Sequence, residues 1–78
     1  MFYAYVLRSK KDNKLYVGLS RDLRKRLARH NKGLVPSTKH RRPLELVYYE
    51  ASLSEEKSVK REQYFKTGFG RRFLKNRI

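Results

Sequence analysis

Phe2-Tyr3-Ala4-Tyr5-Val6-Leu7 and Lys14-Leu15-Tyr16-Val17-Gly18-Leu19 are two β-rich runs separated by a polar stretch containing Lys10-Lys11-Asp12-Asn13. They read as a β-hairpin. With an even-numbered loop and no bulge, facing residues have numbers with an odd sum, so Tyr3, Tyr5, Tyr16 and Gly18 share one face. The opposite face carries Phe2, Ala4, Val6, Leu15, Val17 and Leu19, an aliphatic set suited to packing on a helix. One face is greasy and the other phenolic. Gly18 removes a side chain from the phenolic face and leaves room there for a ligand to approach the sheet.

Outward from the hairpin, Ser20 is the expected N-cap of a first helix over Arg21 to Asn31, which Gly33 stops with Pro36 shortly beyond. Lys32 to Pro43 reads as a basic loop. Leu44 to Glu50 reads as a third strand in which Leu44, Leu46 and Tyr48 alternate with Glu45, Val47 and Tyr49. Ser52-Leu53-Ser54-Glu55-Glu56 offers two overlapping helix starts, among them a capping box from Ser52 to Glu55. The second helix is expected to run to about Thr67, where Gly68 and Gly70 break it. Arg71 to Arg77 then forms a short last helix, with Phe69, Phe73 and Leu74 closing the core. The predicted fold is α/β: a central three-stranded antiparallel sheet flanked by helices, ββαβα plus a short C-terminal helix, in a single domain over residues 1–78.

The 78 residues hold 21 Lys+Arg against 7 Asp+Glu, a formal net charge of +14, and no cysteine. Disulfide frameworks, thiolate metal sites and cysteine nucleophiles are excluded. The longest apolar run, Phe2 to Leu7, is far short of the ~20 residues that cross a bilayer, so no membrane association and a cytoplasmic location are expected. At 38% hydrophobic and 13% aromatic the chain has material for a core, unlike a disordered basic tail. A folded domain with this surplus of cations complements a polyanion, nucleic acid first.

At about 100° per residue, Leu19, Leu23 and Leu27 form one stripe of the first helix, and Arg26 and His30 fall on it too. An inward guanidinium needs an anion or several acceptors. The plainer alternative is that Arg26 snorkels to water and His30 caps the helix end. On the second helix Glu62 lies between Val59 and Phe65, an inward carboxylate. Its partner is either an arginine such as Arg26 or Arg61, or a hard divalent cation completed by water and substrate phosphate. Tyr5 and Tyr16 are amphipathic core edges on the plain reading. With an arginine, a histidine and a carboxylate nearby they are the parts of a phosphodiester site.

Tyr3-Ala4-Tyr5, Tyr16-Val17-Gly18, Arg26, His30 and Arg61-Glu62, in this order and spacing, resemble the GIY-YIG endonucleases, specifically their small stand-alone bacterial members, over essentially the whole chain. The first motif keeps its tyrosine without the preceding glycine and isoleucine, and the second has valine for isoleucine. Asn76 is the one candidate for an asparagine that follows the glutamate in many members. The resemblance implies a GIY-YIG-like sandwich that hydrolyses DNA by in-line attack of water, leaving 5′-phosphate and 3′-hydroxyl ends, with one Mg²⁺ or Mn²⁺ ion held by Glu62. Arg26 would neutralise the phosphoryl oxygens, Tyr5 accept the proton of the attacking water, Tyr16 orient water or phosphate, and His30 assist Tyr5. A free phenol is about 0.1% ionised at pH 7, so Arg26 and the metal are expected to lower the pKa of Tyr5.

Binding is expected through Arg21, Arg24, Lys25, Arg29, Lys32, Lys39, Arg41 and Arg42, with Arg71 and Arg72 from the tail, all to phosphate, giving weak sequence preference and steep salt dependence. Some cations are expected to bridge to Asp22, Glu45, Glu55 or Glu56. The expected partner is nucleic acid, DNA before RNA, met by a monomer. Two other readings remain: a non-catalytic DNA- or RNA-binding module, and a basic structural protein packed on ribosomal RNA.

Overall fold

The hairpin forms in the register that the odd-sum rule requires. In the computed structural model, which describes residues 1–78, β1 (Phe2–Ser9) and β2 (Leu15–Ser20) run antiparallel, with Tyr5 opposite Gly18 and Leu7 opposite Tyr16. Asn13 turns the loop in the left-handed conformation at φ 62°, a region that asparagine enters more readily than most residues. Ser9 Oγ accepts from the backbone N–H groups of Lys11 and Asp12 at 3.1 and 3.2 Å, so the loop is braced from its own strand.

β3 (Leu44–Ser52) pairs antiparallel with the other side of β1, giving the order β2-β1-β3, and it runs two residues past the expected Glu50. Its pairing slips once. Val6 faces Tyr48 while Leu7 faces Leu46, so Val47 is an extra residue in a bulge. Strict alternation would group Tyr48 with Leu44 and Leu46. The bulge instead leaves Leu44 and Leu46 beside Leu7, sends Tyr48 to the Ala4–Val6 side, and sets Tyr49 opposite Tyr5.

α1 (Leu23–Asn31) starts two residues later than expected. Asp22, not Ser20, is the cap, its carboxylate accepting from Lys25 N at 3.1 Å, because Ser20 is still in β2 and its hydroxyl is spent on Asp22 N. Leu19 likewise belongs to β2 and packs on the far side of the sheet, off the stripe of α1. Past the helix end Gly33 turns the chain at φ +77°, and a single 3₁₀ turn at Lys39–Arg41 interrupts the basic loop.

α2 (Glu55–Phe65) is capped by Ser54, whose hydroxyl accepts from Lys57 N, and the Ser52–Glu55 box does not form because Ser52 still closes β3. The helix ends at Phe65, short of Thr67. Thr67 then caps α3 (Gly68–Lys75), accepting from Gly70 N at 3.0 Å, so Gly68 and Gly70 open a helix rather than break one.

α1 lays Leu23 and Leu27 on Tyr5, Leu7 and Leu44, while Phe65 and Leu74 from α2 and α3 bury completely against Ala4 and Val6. Side chains of that size contribute roughly 1.5–3 kcal/mol each when fully buried. Phe73 joins this core as expected. Phe69 does not: it is 75% exposed. The α2–α3 corner is tight enough that a Cβ on Gly70 would stand 1.8 Å from the Tyr64 carbonyl oxygen. Gly70→Ala must therefore open the corner and lose about 2 kcal/mol or more of unfolding free energy, read from urea melts. An unchanged midpoint would contradict the packing described.

Candidate active site

The phenolic face of the hairpin and the inward stripe of α1 meet at the hydroxyl of Tyr5. Its ring is buried, and Oη lies 2.8 Å from His30 Nε2 and accepts from Arg26 Nε at 3.3 Å. His30 Nδ1 lies 2.7 Å from the hydroxyl of Thr38, which donates to Val35 O at 3.5 Å. Tyr5 is buried, already accepts from Arg26, and finds an acceptor for its own proton in His30 Nε2. That assignment leaves Nδ1–H to donate to the Thr38 hydroxyl. Tyr16 lies tilted against Tyr5 and edge-on to His30, with ring centroids 6.5 and 5.1 Å away.

Gly18 makes this possible by leaving room for the Tyr5 ring, not for a ligand. A Cβ there would lie 2.5 Å from both Cζ and Oη of Tyr5. The space above Gly18 is taken by the Tyr5 ring, and no ligand is needed to explain the glycine.

The electrostatics also differ from expectation. Burial raises the Tyr5 pKa and outweighs the lowering by the Arg26 hydrogen bond. Tyr5 is thus a protonated phenol, closed off from water. Its oxygen and that of Tyr16 in turn raise the pKa of Arg26. His30 is pushed down to about 4, first by burial and then by the charge of Arg26, so it is neutral at pH 7. The partly exposed phenol of the cluster is Tyr16.

Glu62 stands apart from these four. It sits on α2, across the sheet from α1, its side chain 13% exposed and paired with Lys66 one turn on, where the sequence suggested Arg26 or Arg61. Arg61 instead grips Glu50 with two bonds of 2.7 and 3.0 Å, and Tyr48 adds a third at 2.7 Å. A cleft of about 400 Å³ along the free edge of β2 is lined by Tyr16, Ser37, Arg71 and Lys66, the partner of Glu62, while Glu62 itself does not line it. No three His, Cys, Asp or Glu side chains gather into a ready metal cage. A lone carboxylate such as Glu62, once free of Lys66, would suit an ion that takes its other ligands from water and phosphate, as Mg²⁺ does. Asn76 is exposed at the end of α3 and touches none of these groups.

Of the eight expected phosphate contacts, only Arg41 enters an ion pair, with Asp12 at 3.2 Å; Arg42 donates to Lys39 O. Asp12 and Glu50 are thus partners that the sequence reading did not name, while Glu45 and Glu56 do pair, with Lys10 and Lys60. Thr38 is the functional residue it missed outright. A threonine inside a basic loop gives no local signal, and only Val35, also buried, hints that this segment turns inward.

Two outcomes follow from this cluster. Gly18→Ala displaces the Tyr5 ring and destabilises the fold by about 1–3 kcal/mol; wild-type stability would contradict the close approach. His30 has a folded pKa of about 4, below the ordinary ~6.5. Its contribution is present above about 6.5 and lost as pH falls toward 4. Thermal melts from pH 7 to 4 should therefore drop more steeply for the wild type than for His30→Gln, and parallel curves would show that His30 is not held neutral.

Comparison with known proteins agrees with this architecture. The family model described as the GIY-YIG catalytic domain matches residues 1–76. A UPF0213 protein of Staphylococcus saprophyticus is 41% identical over 66 residues, covering 83% of this chain and 79% of its own, and one of Streptococcus pyogenes is 45% identical over 65 residues, covering 82% and 70%. The solution NMR structure of a UPF0213 protein from Bacillus halodurans superposes with a TM-score of 0.60 at 29% identity, covering 97% of this chain and 84% of that one. The chain with the Tyr5–His30–Arg26 cluster belongs to the GIY-YIG domain family, among its small UPF0213 members.

Proposed function

We propose that this protein is a divalent-metal-dependent endonuclease that hydrolyses DNA phosphodiester bonds, directed by the structure of the DNA with weak sequence preference. The observation that carries the reading is the Tyr5–His30–Arg26 cluster beside Tyr16, buried at its base and set in a surface of unpaired cations.

Arg26 spends its Nε–H on Tyr5, and the rest of its planar fork is suited to the phosphoryl oxygens, where it offsets the charge that grows during attack. Tyr5 is the positioning group that holds Arg26 and His30 in register. Tyr16 is the better candidate for the proton acceptor, since water reaches it and burial closes off Tyr5. In the in-line step the water oxygen bonds to phosphorus as its proton passes to the phenolate form of Tyr16, the bond from phosphorus to the 3′ oxygen breaks, that oxygen takes a proton from solvent, and Tyr16 returns its proton to solvent before the next turnover. The products are a 5′-phosphate and a 3′-hydroxyl. Glu62 would hold the single Mg²⁺ or Mn²⁺, which supplies Lewis acidity to the phosphate. Arg21, Arg24, Lys25, Arg29, Lys32, Lys39 and Arg42 would hold the backbone without reading bases.

The ion pair of Glu62 with Lys66 favours a second reading, a nucleic-acid-binding module without catalysis, because it neutralises the one carboxylate available. Glu62→Ala and Arg26→Ala separate the two. On the nuclease reading each lowers cleavage by about 100-fold or more, the scale of losing one transition-state contact, while Glu62→Ala leaves DNA affinity within about threefold. Cleavage should also rise with pH between about 7 and 9, as a phenol base requires. Wild-type cleavage by both variants would remove these residues from the reaction.

A further inference from the structure

On the flank of α1 away from Arg26 lies a second concavity that the reading above leaves without a task. It is a groove of about 530 Å³, within the roughly 300–1,000 Å³ of small-ligand sites. Tyr3, Tyr49, Leu27 and Leu46 form its floor, and Arg21 and Arg24 its rim. We propose that this groove holds an unpaired base of single-stranded DNA, stacked on Tyr49 and Tyr3 with the adjoining phosphates on the two arginines. The proposal rests on DNA being what the protein acts on, and names the form it selects.

Tyr49 is 51% exposed, an unusual place for a large ring, and it meets Tyr3 edge-on with centroids 6.0 Å apart. This T-shaped contact steadies the ring and leaves much of its surface to solvent. The bulge at Val47 is what aims Tyr49 this way. Without the extra residue β3 would keep strict alternation, and position 49 would turn to the α2 side. Bulges recur where a side chain has been re-aimed beside a functional site.

The rim charge points to the same ligand. Neither Arg21 nor Arg24 is in an ion pair; the Arg21 guanidinium lies 5.0 Å over the Phe2 ring on the α2 side and must turn from it to reach a phosphate, whereas Arg24 is free on the rim. The acid on this rim, Asp22, has an oxygen committed to Lys25 N as the helix cap. Aromatic floors with cationic rims are how single strands are held, since every base has a face to stack and a duplex keeps those faces inside. Tyr3 also stands two residues, about 7 Å, along β1 from Tyr5. A strand seated here has its next phosphates close to the Tyr5–Arg26 cluster.

The test is equilibrium binding in chelator, so that no cleavage is needed, using labelled oligothymidylate and a blunt duplex of equal length. Tyr49→Ala should weaken the single strand about tenfold, in line with losing one base-stacking contact, and change the duplex less than twofold. Tyr49→Phe should bind both within twofold of wild type. Unchanged single-strand affinity in Tyr49→Ala, or an equal loss on both DNAs, would overturn the proposal. If the stacking pattern holds but Mg²⁺ produces no cleavage, the groove assignment stands and the nuclease reading fails.

Discussion

The hydroxyl of Tyr5 is the point on which the rest of the molecule turns. It sits on the central strand and is roofed by a neighbour that has no side chain. It donates to a histidine from α1 and accepts from an arginine one turn earlier. Four separate segments must be in place for that oxygen to be satisfied: β1, Gly18 of β2, α1, and the loop that carries Thr38. Burying a phenol and an imidazole with unmade bonds would cost several kcal/mol. The cluster therefore pins α1 on the sheet as firmly as the leucines beside it. The basic loop is tied down by the same logic. Thr38 fastens its middle to His30, Ser9 Oγ donates to Arg41 O at 2.6 Å, and the Asn31 side chain makes two bonds to the Leu44 backbone. A loop rich in like charges is held in one shape by its buried polar contacts.

What the sequence disclosed was what local periodicity can carry. A period of two placed Tyr3, Tyr5, Tyr16 and Gly18 on one face, and a period of 3.6 placed Arg26 and His30 on the inner stripe of α1; both are geometric facts about one or two elements. What it hid depended on the third element in contact. The bulge at Val47 shows only in the pairing with β1, where nine residues of β3 meet eight of β1. The cap of α1 is Asp22 and not Ser20, and of the two overlapping starts before α2 the Ser52 box gives way to Ser54, because the strands before them run on for another residue or two of pairing. Thr38 is invisible until the loop folds under α1. Glu62 faces inward as its place between Val59 and Phe65 requires, and Lys66, a single turn away, reaches it before any arginine does.

The charge distribution divides the surface by purpose. The ion pairs of Lys10, Arg41, Lys60, Arg61 and Lys66 account for the acids at positions 45, 12, 56, 50 and 62. The exposed cations of α1 and the following loop stay unpaired. At a Debye length of ~8 Å in physiological salt, these neighbours repel one another at close range, a cost that a polyanion relieves. Inside the cluster the causes are local: burial and the charge of Arg26 keep His30 neutral, while the oxygens of Tyr5 and Tyr16 support the charged state of Arg26. The fold and the proposed chemistry thus share one set of contacts, and the buried phenol is its fixed point.

The most direct test of the nuclease account is to incubate the wild-type protein with end-labelled single-stranded, duplex, nicked, flapped and branched DNA, in Mg²⁺, in Mn²⁺ and in chelator, and to analyse the ends produced. The account requires cleavage that depends on the metal, favours one DNA structure over the others, and leaves 5′-phosphate and 3′-hydroxyl termini. Tight binding to the same panel with no cleavage in either metal would contradict it and leave a DNA-binding module in its place.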